Sequence, residues 1–426
     1  MPAEFYELRE AWLAVPAPSE QVRQDARARL FEEIALEQST QRYQASEPSR
    51  MRSGLMRRFR FARWRHSRLR LAIVIVLLLL LLTGCATVTY LLLRGGGGIA
   101  FEGGGEYGQL LVVNPNGPGL RTIASCPALS TNCAIREPAW SPDGRRLAFV
   151  RGDPGGRYAR SRLSLYVVAT NGGGVRRLAA CGDCGDVPDG ELAWSPDSKW
   201  IAFTRQDEHP RDEAGIWLVR AAGGAAHRLT RCQPASCFDV EPSWSPDGDL
   251  LVFARWGSTP GAAGRLYTIS RDGSGLSSIA DGADPQWSPD GRRIAFDGPN
   301  GLSVSNADGS DLRLIFAGTS GASGPGAPSW SPDGRKLVFF KTPRLRQGFS
   351  AEVWTINADG SGKKRLYHSA CCVGLWAPPV WSPDGRMIAF SANSAGGTFV
   401  INADGSGLRM LSPSVSTYLS WQGPGR

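Results

Sequence analysis

The phrase Trp-Ser-Pro-Asp-Gly stands at Trp140–Gly144, Trp244–Gly248, Trp287–Gly291, Trp330–Gly334 and Trp381–Gly385. A sixth copy, Trp194–Ser198, ends in Ser, and a seventh is reduced to Trp421-Gln422-Gly423. Successive tryptophans lie 54, 50, 43, 43, 51 and 40 residues apart. Self-similarity at such a period marks a repeat architecture and outranks any local reading.

Each copy opens a longer unit. A β-rich run follows, as in Leu147-Ala148-Phe149-Val150, Ile201-Ala202-Phe203 or Leu251-Val252-Phe253. A second run comes next, such as Leu165-Tyr166-Val167-Val168, then a turn such as Asn357-Ala358-Asp359-Gly360-Ser361-Gly362. A short run such as Arg176-Arg177-Leu178 closes the unit. Four short strands per unit with Gly and Asp turns describe a β-propeller blade. Ile99-Ala100-Phe101 starts a unit without its Trp strand, and Trp421 is a Trp strand without its unit. Together they complete one blade, so the chain is read as all-β and seven-bladed, with six blades the alternative. Ser-Pro-Asp-Gly suits a tight turn, with Pro fixing φ and Gly absorbing a backbone that a Cβ would strain. The Trp is large enough to fill the space between neighbouring blades. An Asp repeated in every turn reads as turn chemistry rather than catalysis.

The 426 residues carry a formal charge of +9, unevenly placed. Residues 1–49 hold five Arg and nine acids, and residues 50–70 hold nine Arg and no acid. The excess is one short segment, so nucleic acid is not implied as a partner. Residues 1–49 read as a short helical region, with Val22, Ala26, Leu30 and Ile34 forming one apolar stripe. Leu71–Leu93 is 23 residues without charge, long enough to span a bilayer as one helix. The arginines on its N-terminal flank place residues 1–49 in the cytoplasm and the propeller outside it. The expected layout is therefore 1–49 cytoplasmic, 50–70 basic juxtamembrane, 71–93 transmembrane, 94–98 Gly hinge and 99–426 propeller, in a plasma membrane crossed once. The alternative is a lipoprotein box, Leu82-Thr83-Gly84-Cys85, with Cys85 lipidated.

Strand alternation puts the Ser-Pro-Asp-Gly and Asp-Gly-Ser-Gly turns on one face. The other connections are longer and differ between blades, among them Arg151–Arg162, Arg205–Glu213 and Lys341–Ala351. Variable loops over a rigid scaffold are where binding usually resides. Because Ile99 begins a strand leaving the tight-turn face, that face is expected to point at the membrane. Eight cysteines form four close pairs, all where one blade passes to the next: Cys126/Cys133, Cys181/Cys184, Cys232/Cys237 and Cys371/Cys372. Outside the cytoplasm an even count reads as disulfides, which would staple the loop face.

Three residues before the Trp, four consecutive units carry an acid: Glu137, Glu191, Glu241 and Asp284. Asp189 and Asp239 lie two residues upstream of Glu191 and Glu241. If the Trp strand is innermost, these six form an acidic half-ring at the channel mouth, able to take a cation or a basic ligand. The opposing reading is that they are ordinary solvated acids. No cofactor is expected beyond that cation, and no hydrolase elbow, zincin helix or phosphate loop stands in the sequence.

The repeat, Pro-x-Trp-Ser-Pro-Asp-Gly with Ile-Ala-Phe and Asn-Ala-Asp-Gly-Ser-Gly after it, resembles the WD-repeat-like propeller of the TolB family. It is also similar to the propellers of prolyl oligopeptidases and dipeptidyl peptidases. The resemblance covers about Ile99 to Trp421. It implies a propeller fold and a protein- or ligand-binding module of a bacterial envelope. TolB is six-bladed and periplasmic, whereas this chain shows seven repeats after an apolar run. The peptidases carry a hydrolase domain, for which no matching residues stand here. The layout of a short helical region before one span also looks like that of membrane-bound anti-sigma factors, so the second expectation is a transmembrane sensor. A propeller hydrolase or lyase using the acidic mouth is the third.

Overall fold

The computed structural model describes residues 97–423 except 104–107, 117–118, 127–132, 153–162, 183–191, 206–213, 232–236, 258–263, 319–324, 343–349, 370–374, 393–395, 414–415 and 417. The expected helical region, basic segment, apolar run and Cys85 lie outside the described residues. Among the described residues, no helix is long and apolar enough to cross a membrane.

The strands form seven four-stranded antiparallel sheets, so the ring has seven blades, not six. Blade 2 shows the plan: Ile135–Trp140, Arg146–Gly152, Leu163–Ala169 and Arg176–Gly182 pair in chain order. Blade 1 is assembled from both ends of the propeller. Leu419–Trp421 pairs with Ile99–Gly103, with Ile99 opposite Trp421. Gln422 reinforces the closure: its backbone N–H donates to the Gly98 carbonyl at 2.9 Å, and its side-chain Oε1 accepts from the Gly98 N–H at 3.0 Å. The Gln422 Nε2 donates to the Gly144 carbonyl of the next blade at 2.9 Å. The propeller therefore begins beside a Ser-Pro-Asp-Gly turn, on the tight-turn face.

Alternation explains the core. The second strand of each blade presents one Phe at the same position: Phe101, Phe149, Phe203, Phe253, Phe296, Phe339 and Phe390, none more than 1% exposed. Burying each contributes on the order of 1.5–3 kcal/mol. The tryptophans pack between blades as expected. Trp194 joins Val150 and Leu165 of the preceding blade to Ile201 and Phe203 of its own. Its indole Nε1 donates to the Ala139 carbonyl of the preceding blade at 3.0 Å. Trp244, Trp330 and Trp381 make the same bond to Ala193, Gln286 and Ser329. The buried Nε1 atoms of Trp140, Trp287 and Trp421 find no partner among the described residues.

The repeated turn is a small hydrogen-bonded device. The Gly144 N–H donates to the Ser141 carbonyl at 2.8 Å. The Ser141 hydroxyl donates to Asp143 at 2.6 Å and accepts from the Arg146 N–H at 2.9 Å. Asp143 also accepts from the Arg145 N–H at 3.0 Å. Serine and aspartate thus satisfy backbone groups that a tight turn would otherwise leave open. The serine hydroxyls, then backbone N–H groups, hold Asp247 and Asp333 below the usual carboxylate range; Asp290 is lowered too, its serine contact again leading. Gly144 has φ near 67°, a left-handed conformation that favours glycine. Ser198 adopts φ 58° at that position without being glycine. It is held from the neighbouring blade, where the Asp143 N–H donates to its hydroxyl at 3.1 Å and the Arg146 guanidinium to its carbonyl at 2.7 Å.

Candidate functional site: the channel mouth

The Trp strands are innermost. They line a central cavity of about 180 Å³ whose wall includes Glu137, Leu192, Gln286, Pro378, Val380 and Tyr418. On the loop side of five of the seven tryptophans, the inner strand breaks register against its neighbour: between Arg136 and Ala139, Val240 and Ser243, Ala283 and Gln286, Gly326 and Ser329, and Ala377 and Val380. A bulge of this kind turns two residues out of the ladder. The second is Pro138, Pro242, Pro285, Pro328 or Pro379, which has no N–H to lose from the ladder. The first stands at positive φ in four blades: Glu137 55°, Glu241 58°, Asp284 51° and Ala327 47°. Such backbone costs on the order of 1–3 kcal/mol unless its surroundings hold it.

The acids do the holding. The Asp284 N–H donates to Glu241 Oε2 of the preceding blade at 2.5 Å, and the Ala327 N–H to Asp284 Oδ2 at 3.2 Å. The Glu137 N–H donates to Glu102 Oε1 of blade 1 at 3.0 Å. Each of these carboxylates therefore latches the strained residue of the next blade. The acids also stop where the latch must. After Ala327 comes Pro378, which has no N–H to offer. At the closing blade Tyr418 occupies the acid's position, and Glu102 reaches across from the adjacent strand instead. Glu102 is 1% exposed and its own N–H donates to the Ser416 hydroxyl at 3.1 Å.

Glu137 and Glu241 are thus buried at the channel wall rather than standing free in solvent. Asp284 is half-buried, and desolvation raises its carboxyl above the usual range against the lowering effect of the Ala327 N–H. Asp239 does not join the ring. It is fully buried and pairs with the Arg255 guanidinium through two hydrogen bonds, at 2.6 and 2.8 Å. Glu191 and Asp189 lie outside the described residues. Among the described residues, no group of three His, Cys, Asp or Glu side chains could hold a metal ion. Of the acids at the channel mouth, Glu102, Glu241 and Asp284 accept from backbone N–H groups and Asp239 pairs with Arg255, while the Glu137 carboxylate carries a buried Oε2 with no hydrogen-bond partner among the described residues.

Cys126 and Cys133 are disulfide-bonded with a Cα separation of 5.8 Å, and Cys237 is also in a disulfide. Cys181 lies in the strand Arg176–Gly182, and Cys184, Cys232, Cys371 and Cys372 lie outside the described residues. Sequence reasoning missed Glu102 and a set of cations at the loop-side end of the second strands. Arg151, Arg205 and Arg255 stack on Tyr166, Trp217 and Tyr267 of the third strands, at 4.1, 4.8 and 5.0 Å from the ring centres. Their signal was an Arg two residues past the core Phe in three consecutive units, Phe149, Phe203 and Phe253.

The PD40 family, described as the TolB β-propeller domain, matches residues 130–366, more than half the chain. The chain is 31% identical over 162 residues to a TolB homologue of Chlorobium luteolum, covering 36% of this chain and 33% of that one. The chain spans only 19% to 39% of the length of three curated relatives it matches. A functionally unknown protein from Desulfotomaculum acetoxidans superposes with TM-score 0.52 at 13% identity, over 78% of this chain and 100% of that one. An oligogalacturonate lyase in complex with manganese superposes with TM-score 0.50 at 15% identity, over 74% and 86%. These two likenesses show the fold. Its repeats, its ring and the match across them place this chain in the TolB β-propeller domain family.

Proposed function

We propose that this chain is a membrane-anchored, extracytoplasmic propeller of a bacterial envelope that binds a protein or envelope ligand on its loop face. The observation that carries the reading is the division between the faces. The tight-turn face repeats one hydrogen-bonded device in blade after blade, and the chain enters the ring there beside Gly144. The loop face varies in length and residue from blade to blade and carries the Cys126–Cys133 disulfide. Residues 71–93 serve as the anchor, residues 1–49 lie in the cytoplasm, and the relative named as a TolB homologue supports an envelope role. The test is a photo-crosslinking scan of the full chain in intact cells. Ala317 is exposed at the loop-side end of the outermost strand of blade 5, and Ser274 is exposed in a tight turn of blade 4. A benzoylphenylalanine at Ala317 is expected to capture a discrete partner, and one at Ser274 is not. Capture from both faces alike, or from Ser274 alone, contradicts the reading.

A further inference from the structure

Large apolar side chains left exposed are sparse and oddly placed. Among the described residues they are Leu120, Val175, Leu276, Leu312 and Leu314, at 42–58% exposure. Single exposed leucines are ordinary on a protein surface. These five are not scattered: all come from the turn before the outermost strand or the start of that strand, in blades 1, 2, 4 and 5. They form a rim on the tight-turn face. Arginine accompanies them, as Leu120-Arg121, Val175-Arg176 and Leu312-Arg313, although Arg313 pairs with Asp311 at 2.7 Å and Arg176 donates to the Ala221 and Ala222 carbonyls. Exposed bases also follow the Ser-Pro-Asp-Gly turns, among them Arg145 and Arg335. The aspartates of those turns accept from serine hydroxyls and backbone N–H groups and stay ionised, beside the exposed Arg121, Arg271 and Arg335.

We infer that the tight-turn face docks on an anionic lipid surface, with the rim leucines in the interface and the arginines on lipid phosphates. An interfacial surface needs both parts: apolar side chains to enter the headgroup boundary and bases to meet its negative potential. The inference rests on the proposed membrane location. It draws on one further fact, that Leu93, the end of the apolar run, precedes Gly98 by five residues. Fully extended, that is a reach of at most about 18 Å, and Gly98 sits on the tight-turn face. An anchored propeller on so short a tether holds this face near the headgroups.

The experiment uses the full chain with vesicles of phosphatidylcholine alone or mixed with phosphatidylglycerol, and benzoylphenylalanine at Leu312 or Ala317, which flank one outermost strand at its turn end and its loop end. In the floated fraction, Leu312 is expected to crosslink lipid in the mixed vesicles. The yield should drop severalfold without phosphatidylglycerol, at high salt, or in the variant Arg121→Glu/Arg271→Glu/Arg335→Glu, whose melting temperature checks that it folds. Ala317 should give no lipid product. Equal yields from Leu312 and Ala317, indifference to phosphatidylglycerol, or a glycan or protein product in place of lipid overturns the inference. Resistance to alkaline carbonate reports the anchor separately. A floated, carbonate-resistant chain without the Leu312 product keeps the anchor and sinks the lipid face. A carbonate-extracted chain that still floats through Leu312 does the reverse.

Discussion

Asp284 and Asp290 lie six residues apart, at opposite ends of one inner strand, and their environments pull them in opposite directions. At the turn end, Asp290 is held below its ordinary range, first by the Ser288 hydroxyl. At the channel end, Asp284 is raised by desolvation despite the N–H it accepts. The turn end is a device repeated in blade after blade and open to water. The channel end is a latch that, among the described residues, ties a carboxylate to the backbone N–H of the next blade. One end builds each blade's corner; the other joins blade to blade in the wall of the channel.

The largest effects should come from the wedges shared by both ends. Trp194→Ala is expected to cost about 3–5 kcal/mol in denaturant unfolding, because it opens the packing between two blades. Trp194→Phe should cost about 1 kcal/mol more than Trp287→Phe, since Trp194 donates its indole hydrogen to Ala139 and Trp287 has no such partner among the described residues. Equal costs would mean that packing alone decides.

The Cys126–Cys133 bond closes a short loop and is expected to contribute on the order of 2–3 kcal/mol. Cys126→Ser/Cys133→Ser should lower the melting temperature under oxidising conditions and leave it unchanged when the protein is already reduced. For the latch, Glu241→Ala should cost about 1–3 kcal/mol by stripping the acceptor from the Asp284 N–H, while Glu241→Gln should recover most of the loss. If both substitutions are silent for stability, the carboxylate is not a latch.

Smaller effects follow pH, with opposite signs. Asp247, Asp290 and Asp333 are lowered in the fold, so their contribution is present above the ordinary carboxylate value of 3.8 and is lost as pH falls below it. Asp284 is raised, so its contribution is present at acid pH and is lost as pH rises through its elevated value. Asp284→Asn keeps an acceptor for Ala327 and removes the charge. It should therefore stabilise the protein at neutral pH, and the gain should shrink toward about pH 4, near the ordinary carboxylate value. A gain that grows on acidification contradicts the assignment. The smallest shift is expected at Ser198→Gly, where relief of left-handed backbone offsets loss of the hydroxyl that accepts from Asp143.

The ring itself was legible because its signal is repeated. Seven Trp positions, one core Phe per unit and matching runs at both ends gave the blade number and the closure through Ile99 and Trp421. The carboxylates were legible as a set but not as a latch. Their role depends on backbone N–H groups about 40 residues on, and on positive φ at a bulge, which no local pattern announces. The clue lay in Pro378, the one member of the series without an N–H, which follows the blade where Ala327 replaces the acid. Asp239 was misgrouped because proximity along the chain hid its partner, Arg255, on the adjacent strand. The Ser-Asp hydrogen bonds of the turn were likewise invisible, although the turn itself was read from Pro and Gly.

The proposed division of the faces sets the repeated turns toward the membrane and the loops outward. The direct measurement is labelling of intact cells with a membrane-impermeant maleimide, using the variants Ala317→Cys at the loop end of blade 5 and Ser274→Cys in a tight turn. Both positions are exposed in the folded ring, so burial within the propeller does not decide the outcome. Rapid labelling at position 317 and slow labelling at position 274 are expected, with the difference abolished when the cells are opened by detergent. Faster labelling at position 274 than at position 317 would contradict it.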